Sequence, residues 1–106
     1  MKLLMTVAIV LFGFASAGVA AADDAGTVKV YTEQCAMCHG ADGKGHSVMG
    51  KKLAVKDWGD GKTLNPISDA DLEKMIRVGK GAMPGFTSLS DGQVKAMADY
   101  VRAFQK

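Results

Sequence analysis

For its length, the chain offers few large apolar side chains from which to build a core. Residues 23–106 hold 34 apolar residues among 84, and nine of these are alanine and two cysteine, which leaves 23 larger apolar side chains. A unit of this size gains little from burial alone and is commonly completed by a disulfide, a metal or another internal staple. Glycine supplies 11 of the same 84 residues, well above the usual roughly 7%, so much of the backbone must be loop. These quantities exclude a second domain, a large catalytic cleft and a propeller or solenoid array. They point to a bound prosthetic group.

The remaining apolar residues are concentrated at the amino end. Residues 1–22 hold 17 of the chain's 51 apolar residues and a single charge, Lys2. Met1-Lys2 forms a minimal positive region, Leu3 to Phe14 an apolar one, and Ala15 to Ala22 a small-residue run with several A-x-A sites, the pattern of a secretory signal peptide. Cleavage after Ala22 is expected, with Ala17 and Ala20 as alternatives, so that 1–22 is a leader and 23–106 the domain. The rival is an uncleaved anchor, since Leu3 to Ala22 is 20 uncharged residues, but its Ala-, Gly- and Ser-rich second half suits a peptidase site better than a permanent span. In either case the domain is exported. Without the leader, 12 basic residues face 11 acidic ones, and the lysines are interleaved with aspartates, so no nucleic-acid footprint is present.

Three helices are predicted. Ser90 with Gln93 has the spacing of a capping box, and behind it Val94, Met97, Val101 and Phe104 recur at helical spacing, which predicts an amphipathic helix over the last 15 residues. Ser68 with Asp71 opens a second helix carrying Leu72, Met75 and Ile76, stopped by Gly79-Lys80-Gly81. A third runs from about Gly26 to Ala36, placing Tyr31, Cys35 and Cys38 on one face. Glycine-rich loops fill 40–50 and 58–66, with a short helix allowed near 51–56. No segment alternates with period two for long enough to predict a sheet.

Cys35-Ala36-Met37-Cys38-His39 is C-x-x-C-H, the spacing of c-type haem attachment. Two thiols three residues apart lie on one side of a helical turn and suit the two vinyl groups of one haem, with His39 held beneath the iron. A disulfide or thioredoxin-like pair would want a βαβ context that is absent. A zinc site from Cys35, Cys38, His39 and His46 would place two ligands on adjacent residues, unlike the usual paired spacing. For a second iron ligand, Met37 lies inside the motif, and Met75 and Met97 lie on apolar helix faces. Met83 is favoured, because Pro84 forces it out of helical conformation and it follows His39 by 44 residues, enough chain to pass around a haem edge. Met49 and His46 are the alternatives.

On these residues the sequence resembles the class I cytochromes c, and especially their small bacterial periplasmic members. The resemblance is carried by Tyr31-x3-Cys35-Ala36-Met37-Cys38-His39-Gly40, by Gly50-x2-Leu53 and by Leu72-x3-Ile76-x2-Gly79-x3-Met83-Pro84. It implies an all-α cytochrome c fold of three to five helices with long loops around one haem, the terminal helices crossed. It also implies Cys35 and Cys38 as the thioether residues, His39 as proximal and Met83 as distal ligand, and Tyr31 at the crossing against Tyr100 or Val101. Trp58 resembles the tryptophan that hydrogen-bonds a haem propionate, with a half-buried packing role as the alternative. There are two departures. Thr27 stands where the family often has a glycine at the crossing, which predicts a shifted or wider one. Lys51 stands where a proline carbonyl commonly accepts the proximal histidine's N–H, and the Lys51 carbonyl is expected to accept that bond instead.

The function expected is one-electron transfer in the periplasm by a monomer with no catalytic residues and no membrane span once the leader is removed. Its partners would be redox proteins met transiently, with no nucleic acid among them. The alternatives are a haem-based sensor in which Met83 dissociates and a haem subunit docked on a larger redox complex. In the absence of haem, Cys35, Cys38, His39 and Met83 should line one central apolar void.

Overall fold

The computed structural model describes residues 24–105, and the expected leader, 1–22, lies outside them. Asp24 opens the first helix by accepting the Gly26 N–H on its carboxylate at 2.6 Å, which satisfies one of the free donors of the first turn. The chain then stays helical through α1 (Ala25–Val30), a π-helical turn (Tyr31–Cys35) and α2 (Ala36–His39). The predicted helix is therefore present and extends through His39.

The π turn has no counterpart in the sequence pattern. In it the Ala36 N–H donates to the Tyr31 carbonyl, five residues back where an α-helix uses four. Each residue of regular helix turns the chain by about 100°, so the extra one puts Cys38 out of α-helical register with Tyr31. Tyr31 is 1% exposed within the core and Cys35 packs partly buried against that same core, whereas Cys38, beyond the turn, lines with Cys35 a cavity that Tyr31 does not border. The shared face expected of Tyr31, Cys35 and Cys38 thus holds for the first two and is lost at Cys38.

Gly40, at φ 82°, ends α2 in a conformation that side-chain-bearing residues rarely adopt. The short helix expected near 51–56 lies earlier, as α3 (Val48–Lys52), because Ser47 caps it. The Ser47 hydroxyl accepts the Gly50 N–H at 2.9 Å and donates to the Met37 carbonyl at 2.6 Å, which ties α3 to the cysteine segment. A 3-10 turn, Trp58–Asp60, is capped by Asp57. Then follow α4 (Asp69–Val78), capped by Ser68, and α5 (Asp91–Arg102), with both halves of the Ser90–Gln93 capping box formed at 3.2 and 2.8 Å. Helix α5 stops at Arg102, short of the predicted end. Between α4 and α5 lies a two-residue antiparallel ladder, β1 (Gly79–Lys80) with β2 (Met83–Pro84), that the sequence reading does not include. It is too small to alter the class, which is all-α as expected.

The core forms where α4 packs on α5. Leu72 and Ile76 from one helix and Val94, Met97, Ala98 and Val101 from the other are buried together with Tyr31, Trp58 and Leu64. Helix α1 reaches α5 near its end, where the Tyr31 ring lies 4.9 Å from Tyr100 and 5.4 Å from Phe104. Thr27 is buried in this region, and a space of about 70 Å³ bordered by Thr27, Val30, Gln93 and Met97 remains between the helices. Arg102 fastens α5 to the loop before α4. Its guanidinium donates to the Asp69 carboxylate at 2.8 Å and to the carbonyls of Ile67 and Leu64 at 2.6 and 3.3 Å.

Candidate functional site

The helices and loops enclose a cavity of about 350 Å³, within the range of small-molecule and cofactor sites. Cys35, Cys38 and His39 border it from the first helical run, and Met83 borders it from the hairpin. The four residues singled out in the sequence thus meet at one space. Leu72, Ile76, Met97 and Val101 make much of its wall apolar. The two alternative ligands, His46 and Met49, are exposed and do not border the cavity. Met75, expected as a core or surface residue, borders it as well.

Met83 owes its place to the hairpin and to the way the hairpin folds back on α4. Gly79 leaves the helix at φ 80°, and a side chain there would run into the backbone of Met83 and Gly85. Lys80 pairs with Met83 across the ladder, and the Phe86 N–H donates to the Ile76 carbonyl at 2.9 Å. The extended conformation that Pro84 imposes on Met83 is therefore part of a short strand.

Burial first, then the neighbouring Cys38, pushes the Cys35 thiol up to about 11. It is a neutral thiol at physiological pH, and the two cysteines are not joined. Burial lowers the His39 pKa below its ordinary 6.5, which keeps the ring neutral, the form that offers a lone pair to a metal. Among the described residues, no group of three or more His, Cys, Asp or Glu side chains is arranged to hold a bare metal ion. The zinc alternative is therefore not assembled.

The His39 ring departs from expectation in one respect. Among the described residues its Nδ1 is buried without a hydrogen-bond partner, and the Lys51 carbonyl, the expected acceptor, instead accepts the Ala54 N–H at 3.3 Å. What lies against the imidazole is Trp58, stacked face to face with a centroid separation of 4.0 Å and an interplanar angle of 17°. No sequence signal announces this pair, since its members are separated by two loops and a helix. Two thiols at one wall, a buried neutral imidazole and a thioether from a separate element are a donor set that fits a covalently held haem, and the apolar lining fits its macrocycle.

A family model described as cytochrome C oxidase, cbb3-type, subunit III matches residues 22–101. Cytochrome c6 of Synechococcus sp. (strain ATCC 27167 / PCC 6312) is 35% identical, over 95% of this chain and 91% of its own. The cbb3-type cytochrome c oxidase subunit FixP of Bradyrhizobium diazoefficiens is 37% identical over 71% of this chain but only 25% of its own length. Among solved structures, the KustC0563 c-type cytochrome superposes with a TM-score of 0.69 at 30% identity, covering 76% of this chain and 98% of the other. Among the described residues no helix is long and apolar enough to cross a membrane. Fold, cavity and relatives agree, and the chain belongs to the cytochrome c family as one of its small class I members.

Proposed function

We propose that the protein is a periplasmic one-electron carrier holding one haem covalently through Cys35 and Cys38, with His39 and Met83 as axial ligands. The observation that supports this most is the meeting of those four side chains at a single apolar cavity. When bound, the haem supplies a ferric/ferrous couple, and a thioether ligand favours the ferrous state. The chain's own residues do the rest. The buried neutral His39 and the strand-held Met83 would hold the iron from two separate elements against a largely apolar wall. A site with both ligands supplied by the chain suits electron transfer rather than catalysis. Residues 1–22 are read as the export signal, removed in the mature protein.

Two measurements test this reading. A pyridine haemochrome spectrum of the exported protein should show thioether-bound haem at one per chain, with holoprotein yield falling sharply in Cys35→Ala and Cys38→Ala. Met83→Ala should keep its haem, lose the weak red absorption of ferric Met ligation, show a lower reduction potential and bind carbon monoxide when reduced. An unchanged potential would exclude Met83 and turn to Met75 or Met97, which also border the cavity, and carbon monoxide binding by the wild type would favour a sensor. The likeness to part of FixP supports a second reading, a haem subunit docked on a larger redox complex. Native size-exclusion chromatography separates it from a free monomer.

A further inference from the structure

We infer that Trp58 is a positioning residue for His39, setting the plane of the imidazole by stacking on it. The inference rests on His39 being an iron ligand, as proposed above. A metal-bound histidine usually has its ring orientation fixed by a hydrogen bond from its other nitrogen to a carbonyl or carboxylate. Among the described residues Nδ1 is buried and makes no such bond, and the Lys51 carbonyl serves the turn after α3. A ring with no such bond needs another constraint on rotation about its side-chain torsions. The near-parallel indole at 4.0 Å and 17° supplies it, since rotation of the imidazole would drive its edge into the indole face.

The indole can act in this way because it is itself held. The Trp58 N–H of the backbone donates to the Gly43 carbonyl at 3.0 Å, and Asp57 caps the turn by accepting the Gly59 N–H at 2.7 Å. Phe104 stacks against the indole, with a centroid separation of 6.0 Å and an angle of 26°, and Tyr31 lies 6.5 Å away. Trp58 is 9% exposed. Trp58 thus has flat-ring neighbours in both His39 and Phe104, the latter just beyond the end of α5. In this account the flat face of residue 58 matters for His39, and its indole N–H does not.

Two experiments on the holoprotein test it. Trp58 is the chain's single tryptophan, so its indole proton signals in the diamagnetic ferrous state are unambiguous. Cross-relaxation between them and the His39 ring protons is expected, and its absence overturns the inference. The second compares low-temperature electron paramagnetic resonance of ferric wild type, Trp58→Phe, Trp58→Leu and Trp58→Met. Phenylalanine keeps a flat face and loses the N–H, so its principal g values should match the wild type. Leucine and methionine lose the face, so the sharp low-field feature should broaden or split as the imidazole samples several planes. A Phe variant displaced as far as the Leu variant would assign the role to the indole N–H, and a Leu or Met variant with wild-type g values would show that the stack orients nothing. Either outcome overturns the proposal. If the Leu and Met chains fail to accumulate, the ferrous cross-relaxation decides alone. Failure of the ligation reading has a different signature, since the spectrum of His39→Ala would then equal that of the wild type.

Discussion

Tyr31 shows how one side chain links stability to pH. Its hydroxyl donates to the Gly40 carbonyl at 2.6 Å, and burial first, then the negative charges that Cys35, Tyr100 and Asp42 can carry, raise its pKa above the ordinary 10.0. The folded state thus holds this proton more tightly than the unfolded chain does. Its contribution to stability is complete below the unfolded value and is lost as pH rises above it. Tyr31→Phe should lose about 1 kcal/mol at neutral pH, the typical worth of a hydrogen bond, and its urea midpoint should fall less steeply than the wild type's from pH 9 to 11, a range of about one unit either side of the ordinary tyrosine value. Equal slopes would show that Tyr31 does not titrate differently in the two states. Gly50 is a second sensitive position, because a Cβ there would meet the carbonyl oxygens of Cys38 and Gly45. Gly50→Ala should cost about 1–3 kcal/mol, as overpacking typically does, and lower holoprotein yield by displacing α3 from the cysteine segment. At this scale the sequence was most legible where the chemistry is local. The cysteine spacing and the proline after Met83 point to the cavity without any knowledge of the fold, whereas the Trp58–His39 stack depends on loops whose path no short-range pattern encodes.

Among the elements, the capped helices were the most readable. Ser90 and Gln93 satisfy each other's backbone donors, a requirement of any helix start that shows as a three-residue spacing. Ser90→Ala should lower stability by about 1 kcal/mol with the potential unchanged, because α5 would fray at the end remote from Arg102. Helix α3 was less readable. Its cap, Ser47, is engaged by the Met37 carbonyl as well as by its own helix, so its position is set by the segment it docks on. The two-residue ladder is likewise below the length at which alternation can be recognised, and it exists because α4 offers the Ile76 carbonyl to Phe86. The Arg102 latch has no sequence signature at all. Arg102→Ala should accelerate amide exchange at Ile67 several-fold, since the loop bearing Leu64 and Ile67 loses its tie to α5 while the Ile67 N–H keeps its 3.0 Å bond to Leu64. Unaltered exchange would mean that the loop is held by its apolar contacts alone.

For the whole molecule, the distribution of exposed groups bears on how it meets other proteins. Val48 is 90% exposed, Met37 66% and Leu53 43%, and exposed Lys44, Lys51 and Lys52 lie on or beside the same short helix. Leu53 and Lys56 also border the cavity, so this face adjoins the redox centre proposed above. Electron-transfer contacts are small, often under about 1,200 Å², and their rates depend on the summed field more than on area. With an acidic redox partner, electron transfer should slow several-fold as ionic strength rises from about 0.01 to 0.15 M and the Debye length shrinks from roughly 30 to 8 Å. Lys51→Glu combined with Lys52→Glu should reproduce most of that slowing at low salt. A double variant with the wild-type rate and salt slope would remove these lysines from docking. The crossing of the terminal helices was legible only in outline. Thr27 signalled that it would not close as tightly as a glycine allows, and the remaining space of about 70 Å³ lies there. Tyr100, expected against Tyr31, lies 4.9 Å from it, whereas the Phe104 contact follows from the path of the chain after α5.

The π turn makes the first helical run tolerant of substitution and of the loss of one residue. Thr32 and Glu33 are both exposed within it, so substituting either should be nearly silent. Deleting either would let the run close into regular α-helix, a better helix taken alone. Because the five residues of a π turn sweep about the angle that four sweep in an α-helix, the deletion would leave Tyr31 and Thr27 nearly in their present phase relative to His39, and the crossing and the cavity should both survive it. The run is in effect a regular helix carrying one residue more than its turns require.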